Sequence, residues 1–403
     1  MNALSGDTYV FAEIDAKYGV YKLKELYELH NQGLTIKVPA LLNERGEKTW
    51  VEVEDVVSFG LQPLKQITLA TTRLYVEATE GAIIPAYSSE LFSGTEKQIK
   101  LKFKLANELK VSQDPRKNDT LLLTTNIPLN IPEGDQTEWE VGFALGFWVA
   151  EGWIKKRRKH KNTKRSLANL NGYAKQKGMT LQEYLKYKTD IKEVSLAVGQ
   201  SDFERGYVNI VQKHFKFSKP YKVSENGYQL RSSDLNYIHL IKEYTEGHTS
   251  HDKHVKNEIY NRSLKFLEGI LDGFLAGDGH YVKNGNYFGV KITTNYLLYN
   301  DLIFISKGLG YDVHIWKAKY KRGGFAWSDK VYWSLQLGIF KTYHRHTAVG
   351  LVKERLKSFE NAGEKEAFNL VLASLYSEND KRSVFNHLYF TAYGFLVSDA
   401  IKT

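Results

Sequence analysis

Hydrophobic and polar residues alternate in short runs from Thr8 to about Leu123, with Tyr9-Val-Phe-Ala, Thr49-Trp-Val-Glu-Val and Gln66-Ile-Thr-Leu-Ala separated by polar turns. Such alternation marks strands with one buried face, so an all-β domain is predicted here. Pro128, Pro132 and Gly134 then break regular structure in Asn126-Ile-Pro-Leu-Asn-Ile-Pro-Glu-Gly-Asp, which places a domain boundary near residue 130. Beyond it, helix and strand patterns mix, and their order occurs twice. Each copy opens with a glycine-rich apolar helix that ends in an acid followed by glycine, the first from Val141 and the second from Phe266. In the first copy a strand at Val194-Ser-Leu-Ala-Val is followed by a helix from Glu204 to Phe215 and a hairpin from Tyr221 to Arg231. In the second, the strand Tyr287-Phe-Gly-Val-Lys-Ile precedes a helix from Leu297 to Leu309 and strands near Val313 and from Val331 to Leu337. Both copies read as helix, two strands, helix, two strands. A short β tail from Ser383 to Thr403 closes the chain.

A chain of 403 residues exceeds one ordinary core, so two or three domains are expected. The net charge of +10 suits a polyanionic partner. Cysteine is absent, which excludes disulfides and thiolate metal sites and is compatible with an intracellular, cytoplasmic setting. The longest apolar run, Val141 to Ala150, is too short to cross a bilayer, and no signal segment is evident, so no membrane association is expected. One basic stretch, Lys155-Lys-Arg-Arg-Lys-His-Lys-Asn-Thr-Lys-Arg, belongs to the first copy alone and suits phosphate contact.

The glycines of the two helices need a physical reason, because each costs about 0.5–1 kcal/mol relative to alanine. Gly142 and Gly146 are four apart, as are Gly269, Gly273 and Gly277, so each set lines one helix face and admits a close partner backbone. If the helices pack on each other, Glu151 and Asp278 at their C-terminal ends fall together, where the helix dipole disfavours carboxylates. A divalent cation such as Mg²⁺ would offset that repulsion and could activate water against a phosphodiester.

Ala144-Leu-Gly-Phe-Trp-Val-Ala-Glu-Gly and Leu271-Asp-Gly-Phe-Leu-Ala-Gly-Asp-Gly resemble the two motifs of single-chain LAGLIDADG homing endonucleases. The resemblance implies that Glu151 and Asp278 bind the catalytic metal, the first motif departing by carrying Glu. It also implies a lysine ahead of the second motif, Lys253, with Lys353 as its counterpart in the second copy. DNA contacts are expected from Lys155, Lys156, Arg157, Arg158 and Lys159 of the insert and from Arg231, Lys291, Lys317 and Lys319 on the strands.

Ala3-Leu-Ser-Gly-Asp-Thr-Tyr-Val is similar to the opening block of inteins, with Ala3 where the nucleophile stands. Leu74-Tyr-Val-Glu-Ala-Thr-Glu-Gly-Ala-Ile-Ile-Pro is similar to the block whose Thr-x-x-His polarises the scissile peptide; Thr79 matches and Ala82 replaces the histidine. Val384-Phe-Asn-His-Leu-Tyr-Phe-Thr-Ala-Tyr-Gly-Phe-Leu-Val-Ser-Asp resembles the C-terminal block, including Asn386 and with Tyr393 in place of a histidine. The chain stops at Thr403 without the terminal Asn of inteins, which implies that the native end has been removed.

The resemblance therefore implies a multi-domain chain: an all-β splicing domain of HINT type formed by both ends, and an α/β LAGLIDADG endonuclease with pseudo-two-fold αββαββα repeats. The expected boundaries are 1–130 for the N-terminal splicing part and 131–260 for the first repeat, with its insert at 154–190. The second repeat follows at 261–378 and the C-terminal splicing part at 379–403. Splicing would be inactive, since Ala3 offers no nucleophile. The partners implied are double-stranded DNA and flanking host-protein exteins, with the chain acting as a monomer. A free-standing LAGLIDADG endonuclease, an RNA maturase, or a non-cleaving DNA-binding relative stays open as an alternative.

Overall fold

The computed structural model describes the chain except residues 43–46, 71, 88–100, 125–126, 156–170, 173, 176–179, 182–192, 248–251, 285–286, 321–331, 341–345, 349–350, 374–387, 392–394 and 400–403. For residues 87, 101, 122, 155, 280–284, 287–294, 296, 312, 314–320, 332–340, 346–348 and 351–353 the backbone alone is described. The chain divides into two compact units, one of residues 1–133, 257–267 and 280–403, the other of residues 134–256 and 268–279. No helix among the described residues is long and apolar enough to cross a membrane.

The first unit is built on a large antiparallel sheet. Its spine is a pair of 22-residue strands, Lys48–Leu69 and Leu351–Leu372, laddered along most of their length. The alternation in the sequence shows as burial: Val51 and Val53 are buried while Glu52 and Glu54 are exposed. The ladder slips register at four places, between Leu356 and Ser358, Asn361 and Gly363, Glu366 and Phe368, and Val371 and Leu372. Such bulges bend a strand too long to stay flat. Leu4–Ser5 lies between two strands, Leu4 facing Phe368 on one side and Ala78 on the other. The C-terminal hairpin of Leu388–Phe390 and Leu396–Ser398 joins the same sheet, Tyr389 facing Ala40 of Ile36–Leu41.

Also in this unit is a four-stranded sheet ordered 280–284, 287–294, 332–340, 312–320, with the helix Tyr296–Gly308. Asn295 caps that helix by accepting from the Leu298 N–H at 2.9 Å. Phe304 packs its ring on Tyr9 at 5.2 Å and Phe11 at 6.2 Å, and Lys307 Nζ donates to the Thr124 carbonyl at 3.0 Å.

In the second unit, Asp135 caps the helix Gln136–Glu151 through the Glu138 N–H at 2.9 Å. The helix is followed by a sheet ordered 152–155, 193–199, 227–232, 221–222, with helices Gln200–Glu204, Tyr207–His214 and Leu235–Tyr244. Phe143 stacks on Phe147 and packs against Tyr207, while Glu140 is clamped by Lys213 at 2.7 Å and by His214. Taken separately, the two four-stranded sheets have the same strand order, and each follows a glycine-rich helix.

Residues 280–372 group with the β unit, where Phe304 and Lys307 find their partners. Leu351–Leu372 ladders with Lys48–Leu69 and Thr120–Thr124.

The glycine helices meet backbone to backbone within the second unit. A Cβ on Gly146 would stand 1.9 Å from the Ile270 carbonyl oxygen, on Gly269 2.1 Å from that of Trp139, and on Gly273 2.1 Å from that of Phe143. The neighbour in each case is main chain and cannot swing aside. Gly146→Ala and Gly273→Ala are expected to destabilise this unit by about 2–3 kcal/mol in denaturant melts, the range for overpacked cores. Gly199→Ala, where the new Cβ would meet ordinary contacts from 3.5 Å outward, should change little.

Candidate functional site

The glycine contact determines where the two acids go. Gly277 lies against Glu151, a Cβ there falling 2.9 Å from Glu151 Cγ, so the carboxylate that ends the first helix rests beside Asp278, which ends the second. Burial pushes the half-buried Glu151 carboxyl up to about 7, helped by the negative charges of Asp278 and Asp202 and opposed by Lys253. Burial also raises Asp278, to about 6, again opposed by Lys253. Asp278 keeps an exposed face, so solvent tempers that rise.

Lys253 is the cation of the cluster and is 1% exposed. Its Nζ donates to the carbonyls of Gly152 at 2.6 Å, Trp148 at 3.3 Å and Ala150 at 3.4 Å, and lies 5.1 Å from the Trp148 ring centre. It thus closes the negative end of the first helix, whose last carbonyls lack intrahelical donors. Burial pulls its pKa down to about 8, against the upward pull of Asp278, Glu151 and Asp252.

A second cluster lies in the β unit. Ala3 is fully buried, and its N–H donates to Thr79 Oγ1 at 3.2 Å. The Thr79 hydroxyl donates to the Met1 carbonyl at 2.8 Å, and the Thr79 N–H to the Ala3 carbonyl at 2.9 Å. Ala82 closes a turn on Thr79, its N–H donating to the Thr79 carbonyl at 3.0 Å. Gly81 allows the Met1 backbone to pass, since a Cβ there would meet its N and O at 2.7 Å.

Three residues of this cluster are given no role by the motif reading: Asn2, Asn369 and Asp399, the last of which closes the quoted C-terminal block. Asn369, fully buried on Leu351–Leu372, donates through Nδ2 to the Asn2 carbonyl at 2.9 Å and the Ser398 carbonyl at 3.1 Å. Its Oδ1 accepts from the Tyr389 hydroxyl at 2.8 Å. Asn2 Nδ2 donates to the Asp399 carbonyl at 2.6 Å, and Asn2 Oδ1 accepts from the Ile83 N–H at 3.0 Å. Asp399, 1% exposed, accepts at Oδ2 from the Leu372 N–H at 3.2 Å. The available signal was a polar residue within an apolar strand, as in Ala-Phe-Asn-Leu-Val and Phe-Leu-Val-Ser-Asp.

Among the other expected site residues, Arg231 lies on Gly227–Ser232, donating to Gln229 at 2.9 Å and passing over the Tyr221 ring. Lys155, Lys291, Lys317, Lys319 and Lys353 are placed by backbone alone, each on a strand. Lys353 pairs with Leu122 in the β unit, not with a strand of the second four-stranded sheet. Lys156, Arg157, Arg158, Lys159, Asn386, Tyr393 and Thr403 lie outside the described residues.

No protein-family model matches the chain, and no curated protein is similar to it in sequence. Among solved structures the chain is similar to an intein from a hyperthermophile at 21% identity and a TM-score of 0.25, over 31% of this chain and 73% of that one. It is similar to the Pab PolII intein at 21% identity and 0.24, over 33% and 71%, and to the transcription factor IIB Mvu mini-intein at 13% identity and 0.26, over 32% and 72%. At these values the likeness establishes neither the fold of the whole chain nor a function.

Lys253 both caps a helix and offsets two acids, and the two roles separate experimentally. Lys253→Met is expected to lower stability by about 2 kcal/mol or more, through the lost hydrogen bonds to buried carbonyls and acids left without this counter-charge. Adding Glu151→Gln should return part of that loss in a double-mutant cycle of urea melts. A cycle with no coupling would leave Lys253 a helix cap alone.

Proposed function

We propose that this chain is an intein-type element: a protein-splicing β unit, inactive at its N-terminal junction, combined with a metal-dependent DNA endonuclease of LAGLIDADG type. The observation that carries the reading is the convergence on Asn369 of the two chain-terminal segments, residues 1–3 and 398–399, in one buried hydrogen-bonded cluster. Excision of an internal segment requires its two boundary peptides to meet, and Asn369 bonds one carbonyl from each side. Thr79 adds contacts to the main chain on both sides of the Asn2–Ala3 peptide. What the cluster lacks is a nucleophile, because the side chain of residue 3 is a methyl group.

The endonuclease part rests on the Glu151–Asp278 pair. Two hard carboxylates, both raised by burial and Glu151 also by the charge of Asp278, suit a divalent cation, and Mg²⁺ needs only one or two such ligands when water and phosphate oxygens complete its shell. Among the described residues no group of three or more acids, histidines or cysteines forms a denser metal cage. Glu151 and Asp278 would hold the ion, which when bound supplies activation of water and stabilisation of the leaving oxygen. Lys253 would hold the helix end and moderate the charge between the carboxylates. Arg231 and the basic insert would grip double-stranded DNA through its phosphates.

Two experiments test the halves independently. Placed between reporter exteins, the Ala3→Cys, Ala82→His variant is expected to give thiol-induced cleavage before residue 3 where the parent chain gives none; a folded but inert variant would count against the splicing reading. For the nuclease, Asp278→Asn should lower Mg²⁺-dependent cleavage of DNA spanning the uninterrupted insertion site by roughly 10²-fold or more while gel-shift affinity holds. Neutralising Lys155, Lys156, Arg157 and Arg158 should instead weaken binding and flatten its salt dependence by about one log unit for each phosphate no longer neutralised. Undiminished cutting by Asp278→Asn would remove the paired acids from the active site.

A further inference from the structure

The strand Lys17–Lys22 pairs with Tyr9–Ile14 on one side and, among the described residues, with no strand on the other. That second edge is not bare. Two asparagines of the short 3₁₀ helix Asn257–Asn261 lie along it within the same unit, and each meets one strand residue as a neighbouring strand would. Asn261 Oδ1 accepts from the Tyr18 N–H at 2.8 Å, and its Nδ2 donates to the Tyr18 carbonyl at 3.0 Å. Asn257 does the same for Val20, accepting at 2.9 Å and donating at 3.2 Å. The spacing permits this, since four residues of 3₁₀ helix rise about 8 Å and two of a strand about 7 Å. Gly19 lets the helix come close, because a Cβ there would fall 2.9 Å from Asn257 Cγ. Ile259 and Tyr260 anchor the segment, both buried, with the Tyr260 ring edge-on to Phe11 at 5.5 Å.

The groups so covered are self-complementary. The N–H and C=O of Tyr18 and of Val20 face outward, so antiparallel pairing of two such edges centred on Gly19 sets Tyr18 opposite Val20 of the second copy, and Val20 opposite its Tyr18. All four bonds made by the asparagines are reproduced in that register. It also places an aromatic residue opposite a β-branched one, a favourable cross-strand pair, and sets Lys17 opposite Tyr21 so that the lysines do not meet. We propose that Asn257 and Asn261 form a strap over a strand-addition surface, and that the partner this surface fits is a second copy of the chain, joined edge to edge through Lys17–Lys22. The strap holds the edge because it is tethered: at an effective concentration on the order of millimolar, it outcompetes a micromolar second copy by about a thousandfold for the same four bonds. Without its two amides the edge still demands partners, since backbone groups left unpaired beneath a docked segment carry their full desolvation cost.

The test is sedimentation velocity of the full chain over a range of concentrations, read together with hydrogen exchange at the Tyr18 and Val20 amides. The parent is expected to keep the mass of one chain, with both amides protected throughout. Asn257→Ala, Asn261→Ala should move to the mass of two chains as concentration rises, its amides open when dilute and protected again in the dimer. Adding Val20→Pro should return that variant to a monomer, because the N–H removed is the one that serves the outer edge. Thermal melts show which variants fold. Should the alanine pair not fold, Asn257→Asp, Asn261→Asp keeps the size of both side chains while replacing each donor with a carboxylate that the facing carbonyl repels, and the same shift is expected. A folded variant that stays monomeric at every concentration, amides that stay protected when dilute, growth past the dimer, or a dimer indifferent to Val20→Pro would each overturn the proposal. Failure of both pairs to fold would make the asparagines part of the core and overturn it equally.

Discussion

Backbone contact between two glycine-lined helices is the constraint on which the second unit depends. Carbonyl oxygens of Trp139 and Phe143 stand where Cβ atoms of Gly269 and Gly273 would be, and that of Ile270 where the Cβ of Gly146 would be, so the helices can approach only through these glycines. The approach has an electrostatic consequence, since both helices end in an acid and both ends carry the negative pole of a helix. Glu151 and Asp278 are therefore pressed together where neither the dipole nor the desolvated surroundings favour an ionised carboxylate. Lys253 offsets part of this charge while spending its own hydrogen bonds on Gly152, Trp148 and Ala150. A cation bound there, as proposed, would relieve the rest and offset the stability that the contact costs.

The β unit solves a different problem, that of bringing distant parts of the chain to one point. Its device is the Leu351–Leu372 strand, which ladders with Lys48–Leu69 for most of its length and so carries Asn369 to a fixed place. Leu4 pairs with Phe368 on that strand, which delivers Asn2 and Ala3 beside Asn369. The hairpin ending at Ser398 reaches the same place through Tyr389, whose hydroxyl bonds Asn369. Bulges in the long ladder bend it without breaking the pairing that holds these arrivals in register.

Which features are legible in the sequence depends on which interactions leave a local pattern. Val51 to Glu54 alternates and lies in a strand; Gly146 and Gly273 sit on helix faces and are contact points; both are visible because periodicity and residue size are local properties. The grouping of residues 280–372 with the β strands is not legible because Phe304 and Lys307 take partners more than a hundred residues away, and nothing near them says so. Asn369 and Asp399 stay hidden for a related reason. A buried polar residue in an apolar strand costs energy unless paired, but which carbonyls it pairs with is written only in the fold.

The β cluster is held by main chain and by side chains other than that of residue 3. With Ala3 in place, the Thr79 contacts, the Asn369 bridge and the Asn2–Asp399 bond are all made, and none of them uses the side chain of residue 3. The frame around residue 3 is therefore independent of which side chain stands there. The frame is held by Asn369, Tyr389 and main-chain carbonyls, buried groups whose desolvation is compensated only while the two segments stay together. Hydrogen bonding that is needed for folding thus also keeps residues 2 and 398–399 in contact, so the requirement for stability by itself holds this arrangement in place.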